Sequence, residues 1–158
     1  GGNQVRAEHA TTHGRPETLK VSVGYKDCFI GEGEISYGGS NCVARAELAA
    51  EILEKRIELT GIELEEYRTD FIGCNSLYRD AISKEIGSGT LCELRLRAAG
   101  KTKDRKNAVL LANEVEALYT NGPAGGGGAV KRVSEIVSVC SIFVPRDDVT
   151  QKIRYFEV

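Results

Sequence analysis

One glycine-rich stretch constrains the fold of this chain more than any other feature. Residues 119–128 read YTNGPAGGGG and separate a segment of helical periodicity from a segment of strand periodicity. The four consecutive glycines at 125–128 allow positive φ angles and let another group approach the backbone closely. Pro123 fixes one φ angle just before them. The stretch therefore predicts a shaped connection between a helix and the last strand.

Two segments have the periodicity of amphipathic helices. Ser40 or Asn41 is expected to cap the first helix, and Gly61 is expected to end it. Thr102 or Asp104 is expected to cap the second helix. The apolar positions that predict the buried stripes are Val43, Ala46, Ala50, Leu53 and Ile57 in the first helix and Ala108, Leu111, Ala112, Val115 and Leu118 in the second.

Strands are predicted where apolar and polar residues alternate. Lys26 and Asp27 are expected to form a hairpin turn between the first two strands, and Gly100 is expected to end the fourth. Gly31 and Gly33 predict a bulge or a close packing contact inside the second strand. The strand segments lie near residues 19–25, 28–37, 67–72, 92–98 and 133–144.

The order of these elements is β-βαββαβ, and its last six elements match the split βαβ pattern of ferredoxin-like folds. The sequence therefore predicts an α+β fold with an antiparallel or mixed sheet and two helices on one face. Residues 1–17 are expected to form a polar N-terminal arm, residues 18–146 the domain, and residues 147–158 a C-terminal extension.

Composition excludes several classes of function. The net charge of −2 and the pI of about 5.8 argue against a nucleic-acid partner. No apolar run approaches the roughly 18 residues of a membrane span, and no signal peptide is visible, so a cytoplasmic location is expected. The chain has no methionine, which favours a piece of a longer protein.

The cysteine pattern predicts neither a metal site nor a cofactor. No CxxC pair and no cysteine–histidine cluster occurs, so the thiols are expected to be reduced. Cys92 and Cys140 fall inside apolar strand patterns, and we expect both to be small core residues. The five cysteines are Cys28, Cys42, Cys74, Cys92 and Cys140.

Other chemistry-bearing residues favour structural roles. Glu32 and Glu34 share a strand face, and paired carboxylates can serve as acid and base, but we expect both to face solvent. Arg95 and Arg97 form a charged sheet face that lacks the aromatic side chains of RNA-binding sheets. Cys74 has no nearby base that would make it a nucleophile.

The glycine-rich stretch is the candidate site, with two interpretations. Its backbone N–H groups can form a nest for a phosphate or carboxylate, although it follows a helix C-terminus, whose dipole repels anions. Alternatively, it is a structural connection or docks on another domain. The candidate ligand-binding or interface residues are Thr120, Asn121, Gly122, Gly125, Gly126, Gly127 and Gly128.

Three segments resemble the C-terminal region of the acyclic terpene utilisation (AtuA-like) family. They are residues 18–25 (TLKVSVGY), 29–37 (FIGEGEISY) and 118–128 (LYTNGPAGGGG). The resemblance implies a ferredoxin-like domain that follows a larger N-terminal domain. It also implies a role in the catabolism of acyclic terpenes or branched acyl compounds.

The leading hypothesis is an accessory or assembly domain, not catalytic alone, whose glycine-rich stretch lies at an interface or a shared site. Its expected partner is a larger N-terminal AtuA-like domain or subunit, in a homo- or hetero-oligomer. One alternative is an enzyme subunit that acts on acyl-CoA or organic-acid substrates, with an acyl-CoA or carboxylate ligand on the loop. Another is a small-molecule-binding sensor domain.

Overall fold

The computed structural model describes residues 6, 8–11, 13–80, 82 and 91–156. Two compact units divide the chain: Gly1–Tyr25 together with Val139–Val158, and Lys26–Ser138. A short 3-10 turn follows the last strand. The elements are β1 (Thr18–Gly38), α1 (Cys42–Thr60), β2 (Glu66–Ile72), β3 (Glu93–Thr102), α2 (Arg105–Asn121), β4 (Gly126–Pro145) and the turn Arg146–Asp148.

The four strands form one antiparallel sheet in the order β2-β3-β1-β4. In the pairing of β3 with β1, Leu96 lies opposite Ile35. In the pairing of β3 with β2, Leu96 lies opposite Phe71. The expected α+β class is confirmed, and the sheet is antiparallel rather than mixed.

The expected hairpin at Lys26–Asp27 is wrong, because β1 is one continuous strand of 21 residues. Asp27 is held within this strand by side chains distant in sequence. Its carboxylate accepts hydrogen bonds from Ser138 Oγ at 2.6 Å and from Lys103 Nζ at 3.0 Å. The carboxylate of Asp27 therefore has hydrogen-bond partners in the middle of the strand, and no turn is needed there.

The core lies between both helices and one face of the sheet. Leu96 and Ala98 of β3 and Ile35 of β1 belong to the same buried cluster as Ala46 of α1 and Val115 of α2. Residues of this parity face the helices, so the alternate residues form the open face of the sheet.

Gly31 and Gly33 let α2 approach β1 closely. A Cβ atom on Gly31 would lie 2.1 Å from the backbone oxygen of Ala108, and one on Gly33 would lie 2.4 Å from Val115 Cβ. The close packing contact expected from these glycines is therefore present.

The helix ends follow the sequence closely, with one exception. Gly61 adopts φ 67°, and its N–H donates to Glu58 O at 3.3 Å, as expected for a C-terminal glycine. Asp104 accepts a hydrogen bond from the N–H of Lys106 at 2.8 Å and caps α2. Asn41 precedes α1 in the left-handed region (φ 58°) and makes no side-chain capping bond.

Three expectations about β3 and the cysteines need correction. Gly100 does not end β3, which continues to Thr102. A Cβ atom on Gly100 would lie 2.6 Å from Leu111 Cδ2, so the glycine makes room for α2 inside the strand. Cys92 and Cys140 are exposed rather than buried. The prediction failed because alternation alone does not show whether a strand face is covered.

The unit formed by Gly1–Tyr25 and Val139–Val158 has no buried residue among those described. Its N- and C-terminal segments are joined through Arg146, whose N–H donates to Glu17 O at 2.9 Å. Arg146 Nε also donates to Pro16 O at 2.9 Å. This unit therefore lacks an apolar core of its own in the part of the chain that the structure describes.

Candidate functional site

The candidate residues of the glycine-rich stretch fall into two groups. Thr120 and Asn121 belong to the last turn of α2, where Thr120 Oγ1 donates to Ala117 O at 3.3 Å. Gly122 follows the helix, and its N–H donates to Leu118 O at 2.9 Å. These three residues complete the helix end, whereas Gly125, Gly126 and Gly128 lie against side chains from other elements.

Arg45 holds the turn before the glycines. Its Nη1 donates to Ala124 O at 2.6 Å, and its Nη2 donates to Gly38 O and to Ser40 O. Gly125 adopts φ 80°, and a Cβ atom there would lie 2.2 Å from Arg45 Nη1. The first turn of α1, the end of β1 and the glycine-rich stretch therefore meet on one guanidinium group.

Gly126 packs against Tyr37, which is fully buried. A Cβ atom on Gly126 would lie 3.1 Å from Tyr37 Cε1 and 3.0 Å from Ile35 Cδ1. The Tyr37 hydroxyl is buried and has no hydrogen-bond partner among the described residues. Burial raises the pKa of Tyr37, and the charge of Arg45 partly offsets this rise.

The last two glycines differ from each other. Gly128 adopts φ 61°, and its carbonyl oxygen accepts a hydrogen bond from Arg95 Nη2 at 3.1 Å. A Cβ atom on Gly127 would meet nothing within 4 Å. Two carbonyl oxygens of the stretch, those of Ala124 and Gly128, thus face arginine side chains.

The expectation that Glu32 and Glu34 simply face solvent needs correction. Arg97 Nη2 donates to Glu32 Oε2 at 2.8 Å, and Arg95 Nε pairs with Glu34. The Glu32 hydrogen bond raises the pKa of Arg97, and Asp70 adds to the effect while burial opposes it. Both carboxylates are half-buried partners of β3 arginines on the open sheet face.

Asp70 is the centre of a second group of arginines on that face. Its Oδ1 accepts from Arg68 Nε at 2.7 Å and from Arg79 Nη1 at 3.2 Å. Its Oδ2 accepts from Arg97 Nη1 at 3.0 Å. Asp70 is only 3% exposed, so the three guanidinium groups cover it.

A groove of about 740 Å³ lies beside this cluster. Volumes of this size suit small organic ligands. Its apolar side includes Ile30 and Ala99, and its polar side carries basic residues. The lining residues are Ile30, Glu66, Tyr67, Arg68, Thr69, Arg79, Arg97, Ala99, Gly100 and Lys101.

The described residues include no group of three or more His, Cys, Asp or Glu side chains arranged to hold a metal ion. Within the described ranges, no helix has both the length and the apolar character needed to cross a bilayer.

Comparison with known proteins agrees with the segments that carry the resemblance. A family model described as acyclic terpene utilisation family protein AtuA matches residues 1–155. The chain belongs to this family. No curated protein and no solved structure gives a significant match to this AtuA-family chain.

Sequence reasoning about this AtuA-family chain missed Arg45 and Asp70. Arg45 lies in the first turn of α1, which has no acidic residue. A cation in the first turn of a helix is unfavourable unless other groups bind it. The position of Arg45 in the sequence therefore indicates that its side chain has binding partners. Asp70 shares one face of β2 with Arg68 and Ile72, which are both exposed, and nothing local distinguishes it from a solvated carboxylate.

Proposed function

We propose that this chain is an accessory or assembly domain of an AtuA-family protein of acyclic terpene or branched acyl catabolism. Its partner is a larger N-terminal AtuA-like domain or subunit. The glycine-rich stretch lies at that interface or beside a shared site. The proposed domain spans residues 18–146, with an arm at 1–17 and an extension at 147–158, and its topology is ferredoxin-like.

The observation that carries this proposal is the series of exposed apolar side chains along residues 139–156. Val139 and Phe143 are 69% and 71% exposed and share one parity of β4. Further along, Tyr155 and Phe156 are also exposed. Apolar side chains concentrated on one surface are typical of interaction sites.

The unit formed by Gly1–Tyr25 and Val139–Val158 also supports the assembly proposal. A two-stranded ribbon is marginally stable alone in water, and the described residues of this unit include none that are buried. A partner that covers Phe143 and its neighbours would supply the missing apolar burial, at about 25 cal/mol for each Å².

The glycine-rich stretch fits an interface better than an isolated anion site. Its carbonyl oxygens at Ala124 and Gly128 accept hydrogen bonds from Arg45 and Arg95. The arrangement gives the stretch a defined shape, which a docking surface needs. Thr120 and Asn121 would lie at the edge of the contact.

The ferredoxin-like assignment is supported by the order of the elements along the chain and by the order of the strands in the sheet. The chain order of the long elements is β-α-β-β-α-β, the pattern of split βαβ folds. The sheet order β2-β3-β1-β4 places β1 and β3 side by side in the centre and β2 and β4 at the edges.

The enzyme-subunit alternative receives less support from the carboxylates. Glu32 and Glu34 are each bound by an arginine of β3. One oxygen of each carboxylate is therefore already engaged by a protein group. Action on acyl-CoA or organic acids would therefore need residues of the partner.

The proposal is tested by binding between this chain and the larger domain of an AtuA-family protein, prepared as separate polypeptides. Isothermal titration calorimetry is expected to show a specific complex. Phe143→Ser is expected to weaken it at least tenfold, since it removes an exposed apolar side chain from the proposed surface.

Leu59→Ser is the matched control, because Leu59 is also exposed but lies near the end of α1. It should change the affinity less than twofold. No complex with the larger domain, or equal weakening by the two variants, contradicts the assembly proposal.

A further inference from the structure

The cluster around Asp70 on the open face of the sheet carries more guanidinium charge than its own carboxylates neutralise. Glu66, which also lines the groove, pairs with Lys101 instead. Arg68 and Arg79 share Asp70 with Arg97, and Arg97 also pairs with Glu32. Three cations therefore meet two carboxylates in this cluster. A partly covered excess of positive charge favours a bound anion.

Asp70 has little capacity left to satisfy these arginines. One oxygen already accepts from Arg68 and Arg79, and the other accepts from Arg97. Each guanidinium group has five N–H donors, and the structure shows Arg79 using one of them on a described residue. Arg79 therefore has unused donors, and it is one of the residues that line the groove.

The groove also offers an apolar surface beside these donors. Ile30 of β1 and Ala99 of β3 line it together with Arg68, Arg79 and Arg97. Ala99 lies opposite Arg68 in the β2–β3 pairing, and its small side chain leaves space above the sheet. An occupant with an anionic group and a short apolar body would match both parts.

From this geometry we propose that the groove beside Asp70 binds a small organic oxyanion. Arg68 and Arg79 hold the charged group by charge-assisted hydrogen bonds, and Ile30 and Ala99 contact the apolar body. The planar fork of arginine suits a carboxylate or a phosphate equally. The site lies within Lys26–Ser138 and does not rest on the assembly proposal.

The test is calorimetric titration of the full chain with sodium hexanoate, inorganic phosphate and hexan-1-ol in low salt. At least one of the two anions is expected to bind saturably, and the alcohol is expected not to bind. Tighter binding of hexanoate assigns the site to carboxylates, and tighter binding of phosphate assigns it to phosphates. Absence of saturable binding by both anions overturns the proposal.

Variants locate the binding. Arg68→Gln and Arg79→Gln should each weaken binding about tenfold, because each removes a charged hydrogen-bond donor. Arg56→Gln is the control, since Arg56 pairs with Glu114 outside the groove lining. It should change affinity less than twofold, and weakening equal to that of the groove variants overturns the proposal.

A measurement on the unaltered chain covers the case in which a variant fails to fold. In a ¹⁵N–¹H correlation spectrum, the bound anion should shift the amide signals of residues 66–69 and 97–101 most strongly. Shifts centred elsewhere overturn the assignment. This result is independent of whether a larger AtuA-like domain binds residues 139–156.

Discussion

Arg45 Nη1 donates a hydrogen bond to the carbonyl oxygen of Ala124 at 2.6 Å, although 79 positions separate the two residues. The same guanidinium group holds Gly38 O and Ser40 O. It has no carboxylate partner among the described residues, so backbone carbonyls alone receive its donors. The shape of the glycine-rich stretch therefore depends on a residue in the first turn of α1.

Replacing Arg45 with lysine should loosen this stretch. Lysine keeps the charge but lacks the planar fork that reaches several carbonyls at once. We expect faster amide hydrogen exchange at residues 122–128 and a free energy of unfolding lower by about 1–3 kcal/mol. Arg56→Lys, at a surface ion pair with Glu114, should change this free energy little. Unchanged exchange in Arg45→Lys would show that the stretch is held by other contacts.

Two glycines of the same stretch should respond differently to alanine. Gly125 has φ 80°, and its added Cβ would lie 2.2 Å from Arg45 Nη1. Gly125→Ala should therefore lower the free energy of unfolding by about 1–2 kcal/mol. Gly127→Ala meets nothing within 4 Å and should leave this energy unchanged or raise it by up to about 1 kcal/mol. Urea denaturation measures both, and equal effects would contradict the described backbone.

The helices were predictable because their signals are local. Periodicity placed the whole buried stripe of α2, and in α1 it placed Ala46, Ala50 and Leu53, whereas Val43 and Ile57 are only half-buried. Gly61 and Asp104 marked two of the helix ends. The hairpin expected at Lys26–Asp27 was wrong because the partners of Asp27 lie 76 and 111 positions away. Strand alternation shows which residues share a face. It does not show where side chains distant in sequence bind a polar residue and let a strand continue without a turn.

The candidate site was predictable only in part. The glycine-rich stretch was expected to connect α2 to a last strand near residues 133–144, but β4 begins at Gly126 and includes three of the four glycines. Arg95 and Arg97 were expected to share one charged face, and they do. The contact of Arg45 with the stretch and the arginine cluster on Asp70 depend on tertiary proximity. No pattern in the flanking sequence encodes such pairings.

Gly31 in β1 should tolerate alanine poorly, because its added Cβ would lie 2.1 Å from the backbone oxygen of Ala108. Backbone atoms cannot rotate away as a side chain can, so α2 would have to shift. We expect Gly31→Ala to lower the free energy of unfolding by about 3 kcal/mol or more. Gly38→Ala in the same strand, whose nearest neighbour would be Cys92 O at 3.8 Å, is the control and should have little effect. Similar urea midpoints for the two variants would contradict the close approach of α2.

Asp27 is expected to make the free energy of unfolding depend on pH in the acid range. The hydrogen bond from Ser138, followed by that from Lys103, lowers the pKa of Asp27. Because the folded-state pKa is below the unfolded value of about 3.9, the stabilisation is present above that pH. It is lost as the pH falls through the folded-state pKa.

Ser138→Ala should raise the pKa of Asp27 toward its ordinary value, as followed by NMR titration of the carboxyl carbon. It should also reduce the loss of unfolding free energy between about pH 4 and pH 2, because less carboxylate stabilisation remains to be lost. Ser134→Ala removes a hydroxyl from the same strand that makes no hydrogen bond to Asp27 and should leave the titration unchanged. An unshifted Asp27 titration in Ser138→Ala would mean that Lys103, not Ser138, holds the carboxylate in its charged form.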